Sequence, residues 1–177
     1  NRATPMKEEV VDVGELIQSI VSTHEAFVAD SGLTFEYRAE KGVLVVGDSD
    51  MIRQATANLI SNAVRYTPEG GHVSVTVSKG DIMASIAVRD TGIGMETGLL
   101  ERIFEPFEQG GASISHSYGG SGLGLAISSN LISLMNGHIS VSSTPGVGSE
   151  FVVELPLLTV PDNTPKQDVS LEDIRVL

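Results

Sequence analysis

The sequence predicts a single α/β domain. Segments with apolar residues at helical spacing alternate with short strand-like runs, turn chemistry separates them, and 41% of the 177 residues are hydrophobic. That content is enough to bury one core over about 150 residues.

From Val11 to about Ala29, the residues Val13, Leu16, Ile17, Ile20, Val21 and Phe27 recur at helical spacing and predict an amphipathic helix whose apolar face covers a sheet. Leu33–Arg38 and Val43–Val46 read as two short strands. Gly47-Asp48-Ser49-Asp50 then supplies turn and N-cap chemistry for a helix over Met51–Tyr66, which Thr67-Pro68-Glu69-Gly70-Gly71 ends. Alternating Val73, Val75 and Val77, then Ile82, Ala84, Ile86 and Val88, predict two strands joined in a hairpin at Lys79-Gly80-Asp81. Gln109–Gly120 holds four glycines and three serines and reads as a loop outside the core. A third helix is predicted from about Gly122 to Met135, followed by strands over His138–Ser143 and Gly148–Leu155. Thr159–Gln167, with Pro161 and Pro165, has the composition of a linker.

Composition excludes several functions. With no cysteine there is no disulfide framework, thiolate metal site or cysteine nucleophile, and an intracellular setting fits. The 23 acidic and 11 basic residues give a net charge of −12, and no Lys/Arg cluster offsets it, so a nucleic-acid partner is not expected. No apolar run approaches the ~20 residues of a membrane span, so no direct membrane contact by this segment is expected, whatever anchors the parent protein.

Three constellations carry chemistry. In NLISNAVRYTPEGG, Asn58, Asn62, Arg65 and Tyr66 fall on one helical stripe, interleaved with Ala55, Leu59 and Ala63. Amide oxygens suit Mg²⁺, a guanidinium suits phosphate, and an aromatic ring suits a purine; a solvated helix face is the plain alternative. In DTGIGM, glycines after a strand permit a sharp turn and close backbone approach, and a buried Asp90 can accept a hydrogen bond from an amino group such as adenine N6; a simple Gly-rich turn is the plain alternative. In GGSGLGL, Gly119, Gly120, Gly122 and Gly124 open a helix whose N-terminal amides can hold phosphate oxygens. No lysine follows these glycines and no strand precedes them, so neither a P-loop nor a dinucleotide fingerprint is present.

NLISNAVRYTPEGG, DTGIGM, IFEPFEQ, GGSGLGLAIS and GVGSEF, in this order, closely resemble the N box, first glycine box, F box, second glycine box and final glycine motif of histidine kinases, over roughly Val11–Leu155. The resemblance implies a two-layer α/β sandwich, the Bergerat fold shared with gyrase-type ATPases and Hsp90-like chaperones, with a mixed, mostly antiparallel sheet, helices on one face and a flexible ATP lid. It implies Asn62 as the principal Mg²⁺ ligand with Asn58 beside it, Arg65 as a phosphate contact, Tyr66 as a stacking partner and Asp90 as the acceptor for adenine N6. Gly92, Gly94, Gly122 and Gly124 become backbone sites near adenine and the phosphates, with Ile93, Met95, Ser121, Leu123, Leu125 and Ser149 in the same site. Phe104 and Phe107 match the F box and are assigned to positioning the lid, Phe107 being counted also among the nucleotide-site residues.

The cofactors so implied are ATP and Mg²⁺. Hydrolytic members of the superfamily place a glutamate four residues before the Mg²⁺-binding asparagine; here that position is Asn58, which cannot act as a base, so transfer rather than hydrolysis is expected. The implied partners are a histidine-containing dimerisation domain of the same protein and a response regulator or receiver domain. His24, His72, His116 and His138 lack the acceptor motif. Residues 1–10 are expected to be a linker from the acceptor hairpin, 11–157 the ATP-binding domain and 158–177 a linker, whose SLEDIRVL resembles entry into a receiver domain or an amphipathic tail. Related lids often carry a Lys or Arg near Ser115 or His116, whereas Gln109–Gly120 has neither, leaving a protonated His116 as the candidate substitute. Competing readings are a degenerate nucleotide-sensing module without phosphotransfer and a gyrase- or chaperone-type ATPase.

Overall fold

A computed structural model of the protein describes residues 6–106 and 123–158. Its elements are β1 (Glu9–Asp12), α1 (Val13–Asp30), β2 (Thr34–Ala39), β3 (Leu44–Gly47), α2 (Ser49–Tyr66), β4 (His72–Lys79), β5 (Met83–Asp90), α3 (Thr97–Leu100), α4 (Gly124–Leu134), β6 (His138–Thr144) and β7 (Gly148–Pro156). Five strands form one sheet in the order β2-β4-β5-β7-β6, antiparallel except for the parallel β2–β4 pair, while β1 and β3 make a separate antiparallel ribbon.

The pleat sorts the sheet's two faces. Val73, Val75 and Val77 of β4, Ala84, Ile86 and Val88 of β5, and Phe151, Val153 and Leu155 of β7 are buried on the face that α1, α2 and α4 cover. Residues between them, such as Thr76, Arg89 and Ser140, are exposed. Against the sheet α2 sets Ile52, Ala55, Leu59, Ile60, Ala63 and Val64. Each fully buried large aliphatic contributes roughly 1.5–3 kcal/mol of transfer free energy. The result is the two-layer sandwich the motifs imply.

Local chemistry fixes the element ends. Asp12 caps α1 by accepting from the Glu15 amide at 3.1 Å, so the helix starts at Val13 and not at Val11. The preceding residues pair with β3 instead; Val11 is buried there, and an apolar residue at this spacing suits a strand as well as a helix. Phe27 is 57% exposed and leaves the buried stripe; Val28, seven residues after Val21, takes its place at 3%. Asp48 caps α2 through the amides of Asp50 and Met51, and its second oxygen accepts from the Lys7 amide at 3.0 Å. That Lys7 bond, with those from Met51 and Asp50, holds the Asp48 carboxyl below the usual carboxylate range against the opposing effect of burial. Residues 7–12, read as linker and helix start, are thus part of the folded unit.

Ile82, read into the strand alternation, is 70% exposed because the Gly80 amide closes a turn on the Met83 carbonyl and β5 begins only there. The short α3 has no counterpart in the sequence reading. The loop Gln109–Gly120, the linker Thr159–Gln167 and the tail beyond it lie outside the described residues, and no described helix is long and apolar enough to cross a membrane.

One buried hydroxyl is unmatched. Thr56, on the sheet-facing side of α2, is fully buried and its Oγ1 has no hydrogen-bond partner among the described residues. Thr56→Val keeps the shape and removes the desolvation cost, so urea unfolding should show a gain of about 1 kcal/mol.

Candidate functional site

Described residues of both glycine-rich segments meet α2, at points two turns apart. At Asn58 the helix meets the start of α4: a Cβ built on Gly124 would lie 2.5 Å from Asn58 Oδ1, and Asn58 Nδ2 donates to Ser128 Oγ at 3.1 Å. At Tyr66 it meets the DTGIGM segment: the Tyr66 carbonyl accepts from the Ile93 amide at 3.1 Å, and a Cβ on Gly92 would lie 2.4 Å from that carbonyl oxygen. These contacts are separated along the helix by about 12 Å at ~1.5 Å per residue. Between them stands Asn62, half-buried, its amide bonded to none of the described residues. Arg65 is on the exposed side and Tyr66 is half-buried.

Asp90 ends β5 with 7% of its surface exposed. Its Oδ1 accepts two amides, from Gly92 at 2.8 Å and from Ser149 at 3.2 Å, while Oδ2 accepts from no described residue. Burial pushes this carboxyl above the usual aspartate value and the two amides oppose the rise. The folded state therefore holds the proton more tightly than the unfolded chain. Between the ordinary value of 3.8 and the raised one, native protein binds more protons, so stability relative to Asp90→Asn should fall as pH rises through that window and be level above it. Denaturation free energies of both proteins over about pH 3 to 8 check the sign.

The glycines of this segment have internal reasons. Gly94 has φ +68° and a Cβ there would lie 2.1 Å from the Thr144 carbonyl; Gly148 has φ +136° and would place one 2.0 Å from the Asp90 carbonyl. The Ile93 carbonyl accepts from the Gly146 amide at 2.7 Å, and the Met95 amide donates to Ser143 Oγ at 2.8 Å. Ser143 and Ser149 hydroxyls lie 2.9 Å apart, which links Asp90 through Ser149 and Ser143 to Met95 in a chain of bonds. The close approach read from Gly92, Gly94 and Gly124 is therefore met at least in part by protein atoms.

Of the other candidate residues, Leu123 precedes α4 and Leu125 packs on the core. Phe104 stands edge-on to Phe151 at 6.5 Å, which packs its segment against the sheet. Phe107, Ser121 and Gly122, with Ser115 and His116, lie outside the described residues. The remaining histidines belong to the scaffold: His24 bonds Ile20 O and Ser61 Oγ, His72 faces Glu36 at 3.8 Å, and His138 faces Glu154 at 2.9 Å. Sequence reasoning missed Ser128, Ser143 and Thr144, whose contacts join residues far apart in the chain and leave no local signal.

With the site in view, comparison with known proteins places the chain. It matches the family described as histidine kinase-, DNA gyrase B-, and HSP90-like ATPase over residues 47–159, and it belongs to that family. Sensor histidine kinases are among its relatives. It is 45% identical to sensor histidine kinase RcsC of Escherichia coli K12 over 115 residues, 65% of this chain and 12% of RcsC. With the sensor-like histidine kinase SenX3 of Mycolicibacterium smegmatis it shares 37% over 155 residues, 88% of this chain and 40% of SenX3. The chain thus spans less than half the length of these curated relatives. Among solved structures it superimposes on the nucleotide-free catalytic domain of histidine kinase ThkA with a TM-score of 0.76 at 25% identity, covering 86% of this chain and 97% of that one. Full-length ShkA in complex with AMPPNP gives 0.77 at 31%, covering 89% and 33%.

Proposed function

We propose that this chain binds Mg·ATP and presents its γ-phosphoryl group to a histidine on a separate dimerisation domain, as the catalytic part of a two-component histidine kinase. The observation that carries this reading is the spatial order along α2: a buried carboxylate with one uncommitted oxygen beside Tyr66, an uncommitted amide at Asn62, and the second glycine-rich segment against Asn58. Adenine at Asp90 and phosphates toward Gly124 fit that order, and the complex of the structural neighbour ShkA with AMPPNP supports nucleotide binding as such.

The donor set fits the metal. Asn58 Oδ1 and Asn62 Oδ1 are neutral hard oxygens, suited to an ion whose charge is balanced by phosphate. Bound with the nucleotide, Mg²⁺ would neutralise charge on the phosphate oxygens. The protein's own contribution is position: Asp90 sets the base, Asn58 and Asn62 set the phosphate end, and Phe104 anchors the segment leading to the lid. Asn58 has no proton-accepting carboxylate, which favours transfer over hydrolysis. A phosphoacceptor hairpin would supply the histidine and a response regulator would take the phosphoryl group onward; the names of the relatives, sensor histidine kinases, support the histidine as acceptor.

The test is calorimetric titration of ATP with and without Mg²⁺, followed by phosphotransfer from labelled ATP to a supplied acceptor hairpin. Saturable Mg²⁺-dependent binding with label moving to the hairpin supports the kinase. Binding with no transfer would instead favour a nucleotide-sensing module, and steady phosphate release by the chain alone would favour an ATPase.

A further inference from the structure

Helix α4 turns one hydroxyl into the contact with α2. Ser128 is 1% exposed, and its Oγ lies 2.9 Å from the Gly124 carbonyl, 3.1 Å from Asn58 Nδ2 and 3.5 Å from the Ala55 carbonyl. A serine hydroxyl has one proton and two lone pairs, and carbonyls only accept. With the proton on the closer carbonyl, that of Gly124, the hydroxyl can meet Asn58 only as an acceptor, so the amide must offer Nδ2. Turning the amide over would bring Oδ1 to the hydroxyl, take that single proton from the carbonyl, and reduce two bonds to one. Asn58 Oδ1 thus faces away from Ser128, and no described residue donates to it.

Gly124 leaves room for that amide without choosing its orientation. A Cβ there would lie 2.5 Å from Asn58 Oδ1 and 2.9 Å from Nδ2, so a side chain at this position would displace the amide from its bond to Ser128.

We infer that Ser128 is a positioning residue: it fixes the amide of Asn58 so that Oδ1 is presented to the Mg²⁺ of the bound nucleotide, and it ties that ligand to the helix following the second glycine-rich segment. Hard cations accept the oxygen of an amide and not its nitrogen, so control of the flip is control of the ligand. The inference rests on the Mg·ATP reading above.

The test is a double-mutant cycle on the whole chain with wild type, Ser128→Ala, Asn58→Ala and the pair. ATP is titrated calorimetrically in Mg²⁺ and in EDTA, and melting temperature is read in parallel. Ser128→Ala should cut the affinity gained from Mg²⁺ about tenfold, leave affinity in EDTA unchanged, and add nothing once Asn58 is Ala. An unchanged Mg²⁺ gain in Ser128→Ala, losses that add in the pair, or a loss equal in Mg²⁺ and EDTA that tracks the melting temperature would each overturn it. Wild type with no Mg²⁺-dependent binding would remove the nucleotide reading itself, and this inference with it.

Discussion

Asp90→Asn is expected to lower ATP affinity about 100-fold, or ~2.7 kcal/mol, without unfolding the protein. The asparagine Oδ1 can keep the amides of Gly92 and Ser149, which hold the side chain in wild type. The amide nitrogen then stands where Oδ2 stood, and a donor faces the donor of adenine N6. The same geometry predicts a change of preference: inosine triphosphate, whose ring offers an acceptor at that position, should lose far less affinity than ATP and overtake it in the variant. Competition titration of the two nucleotides, with circular dichroism to verify folding, measures this. Equal losses for both bases would remove Asp90 from base recognition. Asp90→Ala is a poorer test, since it orphans two amides at about 1–3 kcal/mol each and confounds binding with stability.

Asn62→Ala should weaken Mg·ATP binding about 30- to 100-fold, some 2–3 kcal/mol, and stop phosphotransfer to a supplied hairpin, while ADP binding in EDTA changes little. The Asn62 side chain bonds to no described residue, so its removal leaves no partner stranded and the melting temperature should hold. A fall in affinity of the same size with and without Mg²⁺ would place Asn62 against the nucleotide directly and remove it from the metal. Asn58→Ala differs in kind: it strips Ser128 of a bond and opens a gap under Gly124, so part of its effect must appear as lost stability.

Read from the sequence, the strongest elements are those with one dominant period. The alternation in β4 and β7 and the apolar stripe of α2 survive in the fold because each faces a single layer. Where two periods fit the same residues the reading slips, as at Val11, buried as a strand residue where a helix was expected, and at Ile82, which the turn at Gly80 carries into solvent. The short α3 buries no residue, so no apolar pattern announces it.

The α/β class, the three candidate segments and the stripe of Asn58, Asn62, Arg65 and Tyr66 along α2 are legible in the sequence, because helical spacing, strand alternation and glycine placement are local properties of the chain. The long-range contacts are not: that Ile93 and Gly92 meet α2 at Tyr66 and Gly124 meets it at Asn58, that Gly92, Gly94 and Gly148 make room for carbonyls of Tyr66, Thr144 and Asp90, and that Ser128 bonds an amide seventy residues away follow from the tertiary structure. Those contacts depend on which backbone atoms the sheet order brings together. Strands β5 and β7 are neighbours in space but not in sequence, and their pairing sets Ser149 beside Asp90.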